Sequence, residues 1–270
     1  MTPRTATPET AVDGLAASLD VDQFRRSGYL ILPGFLSDDL VDRIRPEVDR
    51  WVDEGLRAQS IQCSIDPDTH GVPQVLELEL PAHGELITHP PLMAVLARLM
   101  GPSFAFHHLH SDRQEPERPG KAWHHDYEQQ PQTDRTYTMI HTLHYLDGLD
   151  ADTAQLVVLP GSHLEVAEKD ARAATGTDSL PGEVVIDRLP RGSTVVLHSA
   201  LFHARRALPG GGGRDRYFID ASYCQAGTQW PQVKPYWRSS LTRARELGLG
   251  ASWPDLFDER HFSGYQRPAE

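Results

Sequence analysis

Lysine is nearly missing from this chain: only Lys121, Lys169 and Lys234 stand among 26 basic residues, against 38 acidic ones. The resulting net charge of −12 argues against a nucleic acid or an anionic membrane surface as partner, because neither rewards a negative protein. The positive groups that remain are nearly all guanidiniums, planar donors suited to carboxylates. Cysteine is equally scarce. Cys63 and Cys224 are too few for a thiolate cluster or a disulfide framework, and a reducing, cytoplasmic setting is the expectation. No stretch approaches the roughly 20 apolar residues of a membrane helix. The first residues, rich in Thr, Ala and Pro, lack the basic start and apolar run of a secretory signal. What is present is an ordinary globular composition, 39% hydrophobic and 24% charged over 270 residues, enough to bury a sizeable core.

Residues 1–20 read as a flexible arm. Beyond them no repeat or long linker breaks the pattern, so one domain over 21–270 is expected, with a helical part at 21–102, a β-roll at 103–225 and a C-terminal cover at 226–270. Gly28 to Gly34 reads as a short apolar strand bounded by turn residues. Ser37 follows as an N-cap with Asp38 and Asp39 in the first turn. Leu40, Ile44, Val48 and Trp51 or Val52 then recur at helical spacing, and Pro46 predicts a kink or a late start. Val75 to Leu80 alternates like a strand, and His70 and His83 read as surface residues. Pro90 to Met100 is a helix opened by proline and closed by Gly101.

From Ser103 to Tyr223 short β-like runs alternate with Gly, Pro and Asp turns: Phe104 to His110, Ala122 to Tyr127, Thr136 to Leu146, Leu156 to Leu159, Val184 to Ile186, Thr194 to His198 and Tyr217 to Tyr223. Many short strands at this spacing predict a mainly β fold, a sandwich or barrel-like roll, with flanking helices. Leu164 to Thr175 reads as a helical insert outside the roll, and Ser240 to Leu247 as a helix in the tail.

Within that β region lies Trp123-His124-His125-Asp126. On an extended segment His124 and Asp126 point to one side and His125 to the other. A distant histidine, for which His203 is the candidate, would complete two imidazoles and one carboxylate on one face of a metal and leave the opposite positions open, as in non-haem Fe(II) oxygenases.

Four motifs occur in one order: Phe24 with Gly28-Tyr29 and Leu32-Pro33-Gly34-Phe35-Leu36-Ser37; Trp123 to Asp126; Leu159-Pro160-Gly161-Ser162-His163; and Gly192 to His198 leading to His203. In this the chain, from about Phe24 to Tyr223, resembles the phytanoyl-CoA dioxygenase family of Fe(II)- and 2-oxoglutarate-dependent oxygenases. The resemblance implies a double-stranded β-helix of the jelly-roll type. It also implies iron ligated by His124, Asp126 and His203, with 2-oxoglutarate and O2 as co-substrates and His198 and His163 in structural roles. Succinate and CO2 would leave as a small-molecule substrate is hydroxylated. Asp126 favours hydroxylation over halogenation, because related halogenases carry a small residue there.

The family anchors the far carboxylate of 2-oxoglutarate on an arginine shortly after the distal histidine. Arg214 and Arg216 both qualify, and spacing from His203 favours Arg214. Thr142 or His144 on the strand after the metal motif could face 2-oxoglutarate, and Arg113 and His107 could meet the co-substrate or the prime substrate. His107, His108, His110, His141 and His144 crowd one region, but alternation puts His108 and His110 on the face opposite His107. Gln129, with Gln130 and Tyr127, and the aromatic tail of Trp230, Tyr236 and Trp237 are candidates for a substrate pocket or lid. Two departures stand out: Asp152-Thr153-Ala154-Gln155 replaces an Asn-Gly turn, and Arg205 and Arg206 follow His203 where small or hydroxyl residues are usual. Arg205 would bind a carboxylate if it faces inward. The competing readings are a β-roll holding a metal such as Zn²⁺ without redox chemistry, as a hydrolase or ligand-binding protein, and a degenerate family member that serves only in interactions. A monomer and a homodimer fit the sequence equally.

Overall fold

The computed structural model describes residues 19–208 and 213–265. The arm expected at the N-terminus lies outside the described residues except for Leu19 and Asp20. Two antiparallel sheets face each other. The larger joins β1 (Tyr29–Leu32), β2 (Phe104–Gln114), β4 (Met139–Tyr145), β7 (Ser193–His198) and β9 (Arg216–Gln225) in the order β1-β7-β4-β9-β2. The smaller joins β3 (Lys121–His124), β5 (Gln155–Val158), β6 (Val184–Ile186) and β8 (His203–Arg206) in the order β3-β8-β5-β6. This crossing order is the double-stranded β-helix implied by the motifs. A short parallel pair, β10 (Trp230–Gln232) with β11 (Phe262–Tyr265), closes one end.

Period-two patterning divides the core into layers. Leu143 and Tyr145 of β4 and Val195 and Leu197 of β7 pack between the sheets against Leu156, Val158 and Ile186. Their neighbours Ile140 and Val196 face the other way, onto the helices, beside Leu40, Ile44 and Val48. The helix Asp38–Asp53 supplies those last three; Ser37 Oγ caps it by accepting from the Leu40 N–H at 3.2 Å. It runs unbroken through Pro46, whose side of the helix is exposed, so the carbonyl that loses its N–H partner can meet water. The outer face of the smaller sheet is covered by residues 164–180, which bury Trp123, Val157, Phe202 and Ala204.

Several expectations give way. Val75 to Leu80 is no strand but a 3-10 turn, Glu77–Glu79, tied by the Leu76 N–H donating to Glu79 Oε2 at 2.8 Å before Pro81 opens the next helix. Its alternating leucines are buried all the same. The insert after Leu164 carries only 3-10 turns. His83 is fully buried: it faces inward from the helix Pro81–Ile87, with Nδ1 at 2.8 Å from Glu47 Oε2 and Nε2 at 2.9 Å from Ser111 Oγ. The helical part also contributes β1 to the larger sheet, and β8, absent from the sequence reading, forms around His203.

Candidate active site

β3 and β8 are antiparallel neighbours whose register sets His124 opposite His203. Alternation turns Trp123 outward, where its indole N–H donates to the Asp178 carbonyl at 2.8 Å, and His124 inward. His125 turns outward again, donating from Nε2 to the Ala167 carbonyl at 3.0 Å and lying against Phe202. Asp126 returns to the inner side. Its backbone N–H donates to the Ser199 carbonyl at 2.7 Å and ties the carboxylate to the loop leading into β8.

Asp126 Oδ2 lies 3.2 Å from His203 Nε2 and 3.7 Å from His124 Nε2. Each imidazole donates its Nδ1–H to the carbonyl two residues earlier, His124 to Ala122 at 2.7 Å and His203 to Leu201 at 3.0 Å. That fixes the tautomer and directs both Nε2 lone pairs at one point. His124 Nε2 is buried with no hydrogen-bond partner. A bare buried acceptor costs free energy unless something fills its lone pair, and a cation held by all three donors would do so. The three groups each offer an atom within 4.8 Å of the others, so the donor set fits a facial triad. Burial, aided by His203, pushes His124 down to about 3, which keeps it neutral and able to ligate. Burial alone would raise Asp126, but nearby positive charge, that of Lys121 first, outweighs it and holds the carboxylate ionised.

The donors open into a cavity of about 420 Å³ between the sheets, walled by Leu143, Tyr145, Leu156 and Phe218 and by the charged Arg205, Arg216 and Asp220. Arg216 starts β9 and is 6% exposed, too little to be solvated. Gln114 Oε1 accepts from its Nε at 3.1 Å and from its Nη2 at 2.5 Å, the Ala154 carbonyl accepts from Nη1 at 3.2 Å, and the guanidinium lies 5.6 Å from the Tyr145 ring centre. Among the described residues no carboxylate pairs with it. A buried guanidinium with neutral partners only is a receptor waiting for an anion.

The model of the phytanoyl-CoA dioxygenase (PhyH) family matches residues 24–214, well over half of the chain. The chain belongs to the phytanoyl-CoA dioxygenase family. Membership brings Fe(II), 2-oxoglutarate and O2 as the cofactors of an oxygenase-type enzyme. Solved structures share the fold. EctD from S. alaskensis, crystallised with 2-oxoglutarate and 5-hydroxyectoine, is 18% identical with a TM-score of 0.60 over 78% of this chain and 76% of its own. The non-haem alpha-ketoglutarate-dependent epimerase SnoN of nogalamycin biosynthesis is 20% identical, TM-score 0.55, over 81% and 82%. The carbocyclase SnoK of the same biosynthesis is 17% identical, TM-score 0.58, over 84% and 92%. No curated protein sequence matches.

In this family member, several residues singled out from sequence fall away from the cavity. Arg214, favoured by spacing, precedes β9 and escapes its alternation; it pairs with Asp150 Oδ2 at 2.7 Å on the surface. Arg113 faces the helical layer, bound to Asp49 and Asp53 at 2.6 Å each. Thr142 and His144 occupy the wrong face of β4: Thr142 Oγ1 donates to the Ala221 carbonyl at 3.0 Å, and the two side chains bond each other at 3.1 Å. His107 is the extra residue of a bulge in β2 and sits against Pro231 and Phe262, whereas His110 lines the cavity and His108 lies beside His141. Gln129 holds its own loop, its Oε1 accepting from the Thr133 and Asp134 N–H groups at 2.9 and 3.1 Å. Trp230 packs on Tyr127, and Tyr236 and Trp237 lie against the outer side of β2, so none forms a lid over the metal cluster. His198 stacks on Tyr127 within 5.0 Å of His163, and His163 Nε2 reaches the Arg25 carbonyl at 3.1 Å.

The cavity residues the sequence reading missed include Gln114, Arg118, Tyr145, Phe218 and Asp220. Alternation carried two steps past Arg216 would have found two of them, Phe218 and Asp220. Arg205 faces inward and lines the cavity; Arg206 faces outward to Glu183 at 2.7 Å.

Proposed function

We propose that this protein is an Fe(II)- and 2-oxoglutarate-dependent dioxygenase that hydroxylates a small molecule, with His124, Asp126 and His203 as iron ligands and Arg216 as the anchor of 2-oxoglutarate. One observation carries the reading: a single cavity holds both the convergent two-histidine, one-carboxylate cluster and a buried arginine without an acidic partner. Iron, when bound, supplies the activation of O2 that couples release of succinate and CO2 to oxidation of a C–H bond. The chain's own part is to position and to shield. The carbonyls of Ala122 and Leu201 orient the imidazoles, the Ser199 carbonyl fixes Asp126, and Gln114 and Ala154 aim Arg216 across the cavity. Leu143, Leu156 and Phe218 give the cavity a dry wall. With Asp126 present the third protein position is filled, which favours hydroxylation over halide transfer.

Purified protein supplied with Fe(II), ascorbate, 2-oxoglutarate and air should release succinate, slowly even without prime substrate. Asp126→Ala should lower that rate by more than about a hundredfold, since even outer-shell partners of a metal cost up to that much. Succinate release unchanged in Asp126→Ala would exclude this site as its source.

A further inference from the structure

The two ends of the cavity differ in sign. Arg118, Arg205 and Arg216 crowd one end, where Asp112 pairs with Arg57 and Arg118 and its charge also reaches Arg205 and Arg216. Asp220 stands four residues along β9 from Arg216, about 13 Å at the rise of a strand. Among the described residues no lysine or arginine pairs with it; its partner is His141, whose Nδ1 lies 2.8 and 3.0 Å from the two carboxylate oxygens. A carboxylate only accepts, so His141 spends an N–H on it and fixes the group, while Asp220 still lines the cavity.

The strand register sets further acceptors beside it. His110 of β2 pairs with Asp220, and the next step along the sheet brings His108, Ser222 and His141 side by side. The Pro231 carbonyl can only accept, so His107 Nε2, 2.9 Å away, carries the proton and His107 Nδ1 is a bare lone pair. His108 Nδ1 lies 3.1 Å from that lone pair and 2.7 Å from Ser222 Oγ. Two lone pairs repel at that distance, which assigns the His108 proton to Nδ1 and leaves its Nε2 an acceptor. Burial keeps all three imidazoles of β2 neutral, with His107 and His110 pushed down to about 3. Ring nitrogens of His108 and His141 and an Asp220 oxygen lie within 4.8 Å of one another. The cations near this end are engaged or turned away: Lys169 holds Glu128 Oε2 at 2.5 Å, Lys234 lies on the outer side of β2, and Lys121 is exposed to solvent.

An ammonium carries a positive charge and three N–H donors, the complement of a carboxylate flanked by imidazole lone pairs. We propose that Asp220 and His108 seat the ammonium of the prime substrate, which is a small primary amine with an apolar body against Leu143, Leu156 and Phe218. His141 is the positioning residue that holds Asp220. The inference rests on the dioxygenase reading and names the substrate class of that same cavity; 2-oxoglutarate at Arg216 leaves this end free.

The test uses three probes with one apolar body, cyclohexylamine, cyclohexanol and cyclohexanecarboxylate. They are titrated into the anaerobic Fe(II) protein supplied with 2-oxoglutarate and followed by NMR relaxation of their ring protons. The amine should bind at least about tenfold more tightly than the other two, the size of a charge-assisted hydrogen bond. Asp220→Asn should erase that preference, while 2-oxoglutarate affinity, read by calorimetry, stays within about twofold and shows that the variant is folded. His108→Phe keeps a ring against His141 and removes one acceptor, and should weaken amine binding roughly fivefold. No preference for the amine in the wild type, or the same preference in Asp220→Asn, overturns the seat, and bound 2-oxoglutarate then leaves the dioxygenase reading intact. A second equivalent of Fe(II) in the wild type, lost in Asp220→Asn, overturns it too, because the acceptors would then hold a metal. If 2-oxoglutarate does not bind, the dioxygenase reading falls, and the amine preference with its loss in Asp220→Asn still decides the seat.

Discussion

His141 and His144 lie three residues apart on β4 and face opposite layers of the molecule. His144 points to the helical side, where Thr194 Oγ1 meets its Nδ1 at 2.8 Å and Thr142 Oγ1 its Nε2 at 3.1 Å, so both ring nitrogens are engaged. His141 points between the sheets. Its Nδ1 is 2.8 Å from Asp220 Oδ1, and its Nε2 is buried without a partner. Burial drives His144 down to about 3. Burial would lower His141 too, but Asp220 outweighs it and the pKa rises. The same side chain on the same strand is packing material on one face and open chemistry on the other. On the helical side His83 is closed in the same way as His144, between Glu47 and Ser111. Polar side chains between the sheets keep free atoms: His124 Nε2, His141 Nε2 and Arg205 Nε.

The largest test of that contrast is His83→Ala. It should remove about 3 kcal/mol of stability in urea unfolding, because the buried Ser111 hydroxyl and the Glu47 carboxylate lose their shared partner. Fe(II) affinity should not change. A variant as stable as the wild type, or one that loses iron, would blur the division between the two faces. A subtler test is pH. His144 stays neutral in the fold while the unfolded chain takes up a proton below about 6.5, so its presence erodes stability as pH falls from there toward about 3. His141 has the opposite sign: its pKa is raised in the fold, so its stabilisation is complete below about 6.5 and fades as pH climbs through the raised value. His144→Gln should flatten the acid limb of the stability profile, and His141→Gln the limb above neutrality. Identical profiles for the two variants would contradict the assignment of faces.

Local rules made the placement of His124, His125 and Asp126 legible, since strand alternation alone sorts them, and the spacing of short strands announced the roll. Contacts distant in sequence decided what remained hidden. Arg214 and Arg216 are equivalent by spacing; Asp150 on the surface and Gln114 within the cavity separate them, at sequence distances of 64 and 102 residues. The alternation that set His108 and His110 apart from His107 holds in the structure, but the bulge after Phe106 makes His107 the extra residue and gives the cavity side to the other two. His83 looked solvated because its neighbours are polar, and nothing near it in sequence shows that Glu47 and Ser111 close around it. The alternating leucines of residues 75–80 are as compatible with a one-sided turn under a helix as with a strand.

The two arginines offer the most direct measurement. 2-Oxoglutarate is titrated into the anaerobic Fe(II) protein as wild type, Arg214→Ala and Arg216→Ala. Binding should be kept within about twofold in Arg214→Ala, a surface ion pair of small worth, and fall by about a hundredfold or more in Arg216→Ala. Equal binding by wild type and Arg216→Ala, or loss in Arg214→Ala instead, would contradict the placement of the co-substrate in this cavity.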